Sequence, residues 1–168
     1  LSNRSHSRSN GHDLNVGFNY SDDTWMFNAS LGVTPQKRTI DRKVGKLYAD
    51  TTMRTIDYQP MIWLSWRKKK MRVSLNYNGR TRQPSLSDLM PLTDNSDPLY
   101  ITRGNPDLKQ MFMHTMHVSF QHPSKGISAN LGWQMEKNSV TQVVLYDVQT
   151  GGREIYPINI NGNWNTYR

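Results

Sequence analysis

Five histidines, His6, His12, His114, His117 and His122, are the residues of this chain best suited to hold a metal or shuttle a proton. A metal needs ligands that converge. On a strand, His114 and His117 are three apart and project to opposite faces, so they cannot share an ion. All five read as polar-face or turn residues. Asp94-Asn95-Ser96-Asp97 offers oxygen ligands of the kind calcium takes, yet it lacks the glycine and the bidentate glutamate spacing of an EF-hand. A turn rich in Asx residues is the expectation there. Met111, Met113 and Met116 beside Phe112 fall on both faces of a strand, which suits surface filling rather than copper. Serine, histidine and acid are all present, but no nucleophile elbow, phosphate loop or H-E-x-x-H spacing groups them. The residues point to no enzyme, no cofactor and no metal, and leave any ligand-binding residues unassigned.

The elements that carry these residues are strands. Leu14, Val16, Phe18 and Tyr20 alternate with Asn15, Gly17 and Asn19, and after Ser21-Asp22-Asp23 the chain returns with Trp25, Phe27, Ala29, Leu31 and Val33 against Asn28, Ser30 and Gly32. Period-two alternation gives one greasy and one wet face. The wet face is Asn, Ser, Gly and Gln rather than Lys and Glu, as expected of a wall around a water-filled interior. The same pattern recurs in Ile56, Tyr58, Pro60, Ile62, Leu64 and Trp66, in Met71, Val73, Leu75 and Tyr77, in Phe112, Met116, Val118 and Phe120, and in Ile127, Ala129, Leu131, Trp133 and Met135. A seventh strand is expected over Ile155 to Trp164, and the sixth is free to continue through Asn138 to Asp147. Pro35 is expected to end the second strand, and Pro60 to bring a bulge or a weakened ladder into the third.

Connections alternate in length. Ser21 to Asp23, Arg67 to Lys70 and His122 to Gly126 are short, whereas Gln36 to Thr51 and Arg82 to Gln110 are long. Aromatics gather beside the short turns: Tyr20 and Trp25, Trp63 and Trp66, and Phe120. Short turns at one end, long loops at the other and a ring of aromatics at head-group depth together describe a membrane-spanning β-barrel. The expected fold is all-β, an antiparallel up-and-down meander, with residues 1–168 forming part of one barrel domain. Leu14, Val16, Phe18, Trp25, Phe27, Leu31, Val73, Leu75, Val118, Leu131 and Trp133 should then face away from the polar interior. Their meeting in a core between stacked sheets would instead favour a soluble β-sandwich binding module.

Composition agrees. The apolar share is 35% and the mean hydropathy −0.76, values that would suggest a soluble chain. A barrel strand offers lipid only half its residues, so such averages cancel. No run approaches the roughly 20 apolar residues of a membrane-spanning helix. There is no cysteine, hence no disulfide or thiolate site. Leu1 to Asn10 is polar and rich in Ser and Arg, unlike a signal peptide, so an exported protein of this kind is expected to begin elsewhere. Much of the +8 net charge lies in Lys37, Arg38, Arg42, Lys43 and Lys46 and in Arg67 to Lys70, apart from the aromatic faces. That separation argues against nucleic acid and for anionic lipid head groups or lipopolysaccharide phosphates as partners. Seven strands do not make an even-numbered barrel, so a segment of a larger one is expected, with a small complete barrel of structural or adhesive role as the alternative.

Arg82-Gln83-Pro84-Ser85-Leu86-Ser87-Asp88-Leu89, then Asn95-Ser96-Asp97-Pro98-Leu99, then Gly104-Asn105-Pro106-Asp107-Leu108-Lys109 give an R-x-P-x-x-x-x-L element, a D/N-P element and a G-N-P-x-L-K element in that order. This series resembles barrel segments of TonB-dependent outer-membrane receptors, and especially the related outer membrane protein β-barrel family. The resemblance implies a bacterial outer-membrane barrel of about 22 strands around a plug, of which this is roughly a third. It further implies uptake of a large scarce nutrient (a metal chelate, a vitamin or a glycan) energised through TonB, with the plug and remaining strands as partners. The plug and the TonB-contacting box are absent from these residues, and no ligand-binding residue transfers by motif.

Overall fold

The computed structural model describes residues 3–44, 47–90, 93–97, 99–148 and 151–168. β1 (Asn3–Gly11) and β2 (Leu14–Ser21) both pair with β3 (Trp25–Val44) in a single register, so they form one interrupted edge strand. β4 (Leu47–Lys68), β5 (Met71–Arg82), β8 (Met111–His122), β9 (Ile127–Lys137) and β12 (Asn163–Tyr167) continue the sheet, each antiparallel to its neighbour. Seven positions result, as expected. Among the described residues the sheet does not close: the β1–β2 line and β12 stand at its edges. A second, smaller sheet runs β10 (Val140–Tyr146), β11 (Arg153–Asn159), β7 (Tyr100–Arg103), β6 (Thr93–Asp97). Its β7–β11 contact is parallel, an exception to the expected meander.

The register sets the apolar residues in rows across the sheet. One row reads Trp25, Trp66, Val73, Phe120, Ala129, the next Tyr20, Phe27, Leu64, Leu75, Val118, Leu131, and a third Phe18, Ala29, Ile62, Tyr77, Met116, Trp133, Tyr167. These side chains are not buried: Tyr167 is 75% exposed, Leu131 68% and Phe18 61%. Among the described residues no second sheet covers them, which argues against the sandwich and leaves the apolar face to lipid. The polar rows, such as Asn19, Asn28, Trp63, Asn76, His117 and Gly132, occupy the other face. Trp63 thus looks into the interior, and only Trp66 joins the aromatic row beside the short turns. The expectation for Trp63 overlooked its odd spacing from Trp66.

Gln36 to Thr51 is not a loop. β3 is 20 residues long and β4 is 22, paired from Trp25↔Trp66 to Val44↔Leu47. The stretch from Trp25 to Pro35 matches the roughly 9–11 residues a tilted strand needs to cross hydrocarbon. The remainder projects beyond it by about 30 Å along the strand. A ladder surrounded by water needs no greasy face, so Thr39, Thr52 and Thr55 sustain it without alternation. Pro35 does not end β3. Its carbonyl accepts from the His12 amide at 3.1 Å, but it has no N–H to return, and the partner strand breaks there between β1 and β2. Thr34 Oγ1 donates to Asp13 Oδ1 at 2.7 Å across that gap.

Pro60 weakens its ladder as expected. Pairing of β4 with β5 stops at Met61↔Asn78, and beyond it the Tyr58 amide donates to Thr81 Oγ1 at 2.8 Å. Gly79 fits beside Pro60 because it has no side chain: a Cβ there would lie 2.7 Å from Pro60 Cγ and 2.8 Å from Phe112 Cζ. The sixth strand does not run unbroken to Asp147. Asn138 adopts φ 58°, the chain leaves the main sheet, and its continuation is β10 of the small sheet. The expected seventh strand likewise divides at Ile160 to Gly162 into β11 and β12, because the second arm carries one extra residue through the kink.

At the first short turn, Asp22 Oδ1 accepts the Thr24 and Trp25 amides, each at 2.7 Å, and Oδ2 accepts the Tyr20 hydroxyl at 2.7 Å. The Tyr20 hydroxyl above all, then the Trp25 and Thr24 amides, hold the Asp22 carboxyl below the ordinary aspartate value. The three short turns share one end, opposite the long arms and the Arg82–Gln110 connection, as the count of reversals requires.

Two outcomes follow. Gly79→Ala should cost about 1–3 kcal/mol by overpacking, whereas Gly17→Ala, whose Cβ meets only ordinary contacts at 3.4 Å, should cost little. The temperature at which full-length protein loses its compact gel migration measures both, and equal losses would contradict the packing described. Because the folded-state value of Asp22 is lowered, its stabilisation is present above the ordinary aspartate value and is lost as pH falls through the lowered one. Amide exchange at Thr24 and Trp25 should accelerate over that acid interval, and Asp22→Asn should abolish the pH dependence while keeping an acceptor.

Candidate functional site

The buried apolar side chains lie outside the barrel wall. Leu89 is 1% exposed, Met90 4% and Leu108 5%. They come from the Arg82–Gln110 connection, which carries α1 (Leu86–Leu89), β6 and β7. Ser85 caps α1, its Oγ accepting the Asp88 amide at 3.2 Å, and Pro84 and Pro157 are also buried. Gly104 passes so close to the Met90 backbone that any Cβ would collide with the Met90 carbonyl. Asn105 donates from its amide to the Asp88 carbonyl and from Nδ2 to the Pro157 carbonyl at 3.0 Å, while its Oδ1 accepts the Asp107 amide at 3.0 Å. The first and third of the sequence elements noted above are therefore structural: they build a small cap at the long-arm end of the sheet, while Pro98 of the second lies outside the described residues.

Side-chain amides rivet this cap to the barrel wall. Asp57 of β4 accepts from Gln36 Nε2 at 2.7 Å and from Gln83 Nε2, and Gln83 also donates to Gln110 Oε1 at 3.0 Å. Asn159 Oδ1 accepts the Lys109 amide at 2.8 Å, and its Nδ2 donates to the Lys109 and Asn138 carbonyls at 3.0 and 2.8 Å. The small sheet is tied across its parallel contact by an Arg103–Glu154 ion pair at 3.1 Å and by Arg153 lying 5.2 Å from the Tyr100 ring centre.

Under the cap, on the polar face, opens a pocket of about 460 Å³. Arg82, Asp88, Met111, Glu136, Ser139 and Gln142 line it. Arg82 and Met111 are register partners at the head of the β5–β8 ladder, and Glu136 stands on β9 in the polar row of Met113 and Arg80. Glu136 is held in place, Oε2 accepting from Ser139 Oγ and Oε1 from Gln134 Nε2, both at 3.0 Å. The arrangement offers a cation, two carboxylates and neutral hydrogen-bonding groups to one solute, the chemistry of polar-ligand capture. Arg82 had been read only as part of a motif. Glu136, Ser139 and Gln142 were missed, since the bend at Asn138 that brings them together has no periodic signal.

The histidines disperse. His117 is on the polar face, and His122 is at the third short turn beside Ser124. His114, expected on the polar face or in a turn, lies instead in the apolar rows, where Tyr77 Oη meets its Nδ1 at 2.9 Å and Phe112 packs edge-on at 4.7 Å. A tyrosine partner is what allows an imidazole on that face. Met111 and Met113 take the polar side and Met116 the apolar one. Asp97 Oδ1 accepts the Leu99 amide at 2.9 Å, an Asx turn, while the side chains of Asp94 to Ser96 lie outside the described residues. Among the described residues no three His, Cys, Asp or Glu side chains could hold one ion.

Comparison with known proteins agrees with this architecture. The crystal structure of the siderophore receptor PirA from Pseudomonas aeruginosa superposes with a TM-score of 0.55 over 97% of this chain, at 13% identity. That match spans 39% of the receptor's length and shows a shared fold. No curated protein sequence matches the chain. The sequence pattern of the outer membrane protein beta-barrel family matches residues 52–167, from the third strand position to the last. With an apolar face turned to lipid, a polar face turned inward and this family pattern over most of its length, the chain belongs to the outer membrane protein beta-barrel family and to the bacterial outer membrane.

Proposed function

We propose that the chain is part of the barrel of a TonB-dependent receptor, taking up a large, scarce solute such as a metal chelate, a vitamin or a glycan. The observation that carries this reading is the roofed polar pocket of Arg82, Asp88 and Glu136 beneath a cap with its own core. A simple pore needs a wide lumen; a receptor needs a shaped site near its outer mouth. The fold shared with a siderophore receptor supports the same reading. Open backbone groups at the β1–β2 and β12 edges each cost several kcal/mol in hydrocarbon, so further strands of the same barrel are the partners proposed for them. Those strands would enclose a plug and pass energy from TonB, and no catalytic step is involved.

Transport of a ferric chelate, a cobalamin and an oligosaccharide by cells carrying the full-length protein tests this. One solute should accumulate against a gradient only when TonB is intact. Arg82→Ala or Glu136→Gln should weaken its capture roughly tenfold to a hundredfold, as loss of a charge-assisted hydrogen bond does, with compact gel migration kept. TonB-independent leakage of small sugars, unaffected by either substitution, would make the protein a diffusion pore. A compact, heat-modifiable monomer formed by residues 1–168 alone would favour a small complete barrel instead.

A further inference from the structure

On the projecting arm, the register continues the outward face beyond the apolar band. The row His12, Pro35, Ile56 is followed by Asn10, Lys37, Arg54, and then by Arg8, Thr39, Thr52. Lys37 and Arg54 are direct cross-strand partners, with Cα atoms roughly 4.5–5.5 Å apart, and Arg8 stands diagonally across from Lys37 at roughly 7–8 Å. All three cations are exposed, and among the described residues none of the three enters an ion pair. Like charges directly opposite one another are unfavourable unless an anion separates them. Asn10, His12, Lys37 and Arg54 border one shallow depression, floored by Pro35 and Ile56. The Thr39 and Thr52 hydroxyls, 3.4 Å apart, lie one row higher. Asp41 and Asp50, the nearest acidic pair on this face, are two rows above the Lys37–Arg54 row.

We infer that this depression is a binding site for a phosphorylated glycolipid of the outer leaflet, with Lys37, Arg54 and Arg8 on the phosphate and Pro35 and Ile56 under the first methylenes of the acyl chains. The side that meets lipid is set by the rows, and the height is set by the edge of the apolar band. Two guanidinium groups and an ammonium group at that boundary match a phosphate held at head-group depth, and hydroxyl and amide donors beside them suit a sugar. The inference uses the outer-membrane location and the arm's outward direction. It does not rest on nutrient transport, so either reading can fail alone.

The test uses the full-length protein in neutral detergent with three probes: bisphosphorylated lipid A, the same lipid dephosphorylated, and phosphatidylglycerol. Native mass spectrometry should show lipid A retained in preference to both others. The double substitution Lys37→Ala with Arg54→Ala should lower its affinity on the order of thirtyfold, at about fivefold per cation. Lys37→Arg with Arg54→Lys, which keeps the charge, should bind within a few-fold of the parent protein and controls for folding. Lys68→Ala with Lys70→Ala, at the opposite end, should change nothing. Equal retention of the dephosphorylated lipid, preference for phosphatidylglycerol, or undiminished binding by the alanine pair would each overturn the site.

Discussion

In hydrocarbon there is no water to satisfy a peptide group, so every amide and carbonyl in the band must find its partner inside the protein. Much of this structure follows from that demand. It fixes an antiparallel ladder running without a slip from Trp25↔Trp66 through Met116↔Trp133, and the ladder in turn fixes which residues share a face. Proline shows how strictly the demand is met. At Pro35 a strand breaks and a threonine–aspartate contact spans the gap, while past Pro60 a threonine hydroxyl takes over from the neighbouring strand's backbone. Gly79 is the counterpart of Pro60, its missing side chain leaving room for the Pro60 ring and for Phe112.

Where lipid supplies the selection, the sequence is readable. Alternating residues announced the faces from Leu14 to Val33 and from Met111 to Met135, and the register confirms them. Beyond the band, water touches both faces and alternation is no longer required. Gln36 to Thr51 is as polar as a loop and yet fully paired, because the hydrogen-bond ladder alone holds it. The same reasoning explains the missed break at Asn138. A single residue with positive φ carries no periodic mark, although asparagine is among the residues that tolerate that conformation.

The site was legible only as a string of motifs. Pro84, Leu89, Gly104, Asn105 and Leu108 stood out without a physical reason. Their reason is a small hydrophobic core with polar rivets, remote from lipid and built like the interior of a water-soluble domain. The pocket beneath it is composite, drawing Arg82 from one hairpin and Glu136 and Gln142 from another. Such a set cannot be recognised along the chain, since only the bend of the β9–β10 arm gathers it.

The parallel contact between β7 and β11 has a consequence for assembly. Every main-sheet pairing joins strands that are neighbours in sequence, or are separated only by the cap or by the β10–β11 hairpin, so it can close over short loops at small entropic cost. Tyr100, by contrast, must wait for Arg153, with three strands of intervening chain already laid down. Contacts of long sequence separation form late. The wall from β1 to β9 can therefore pair first, and the cap and the last strand, β12, join it only when the β10–β11 hairpin arrives. Chains caught before that step would carry a paired wall with the small sheet still undocked, so forming the wall and closing the cap over it are separable events.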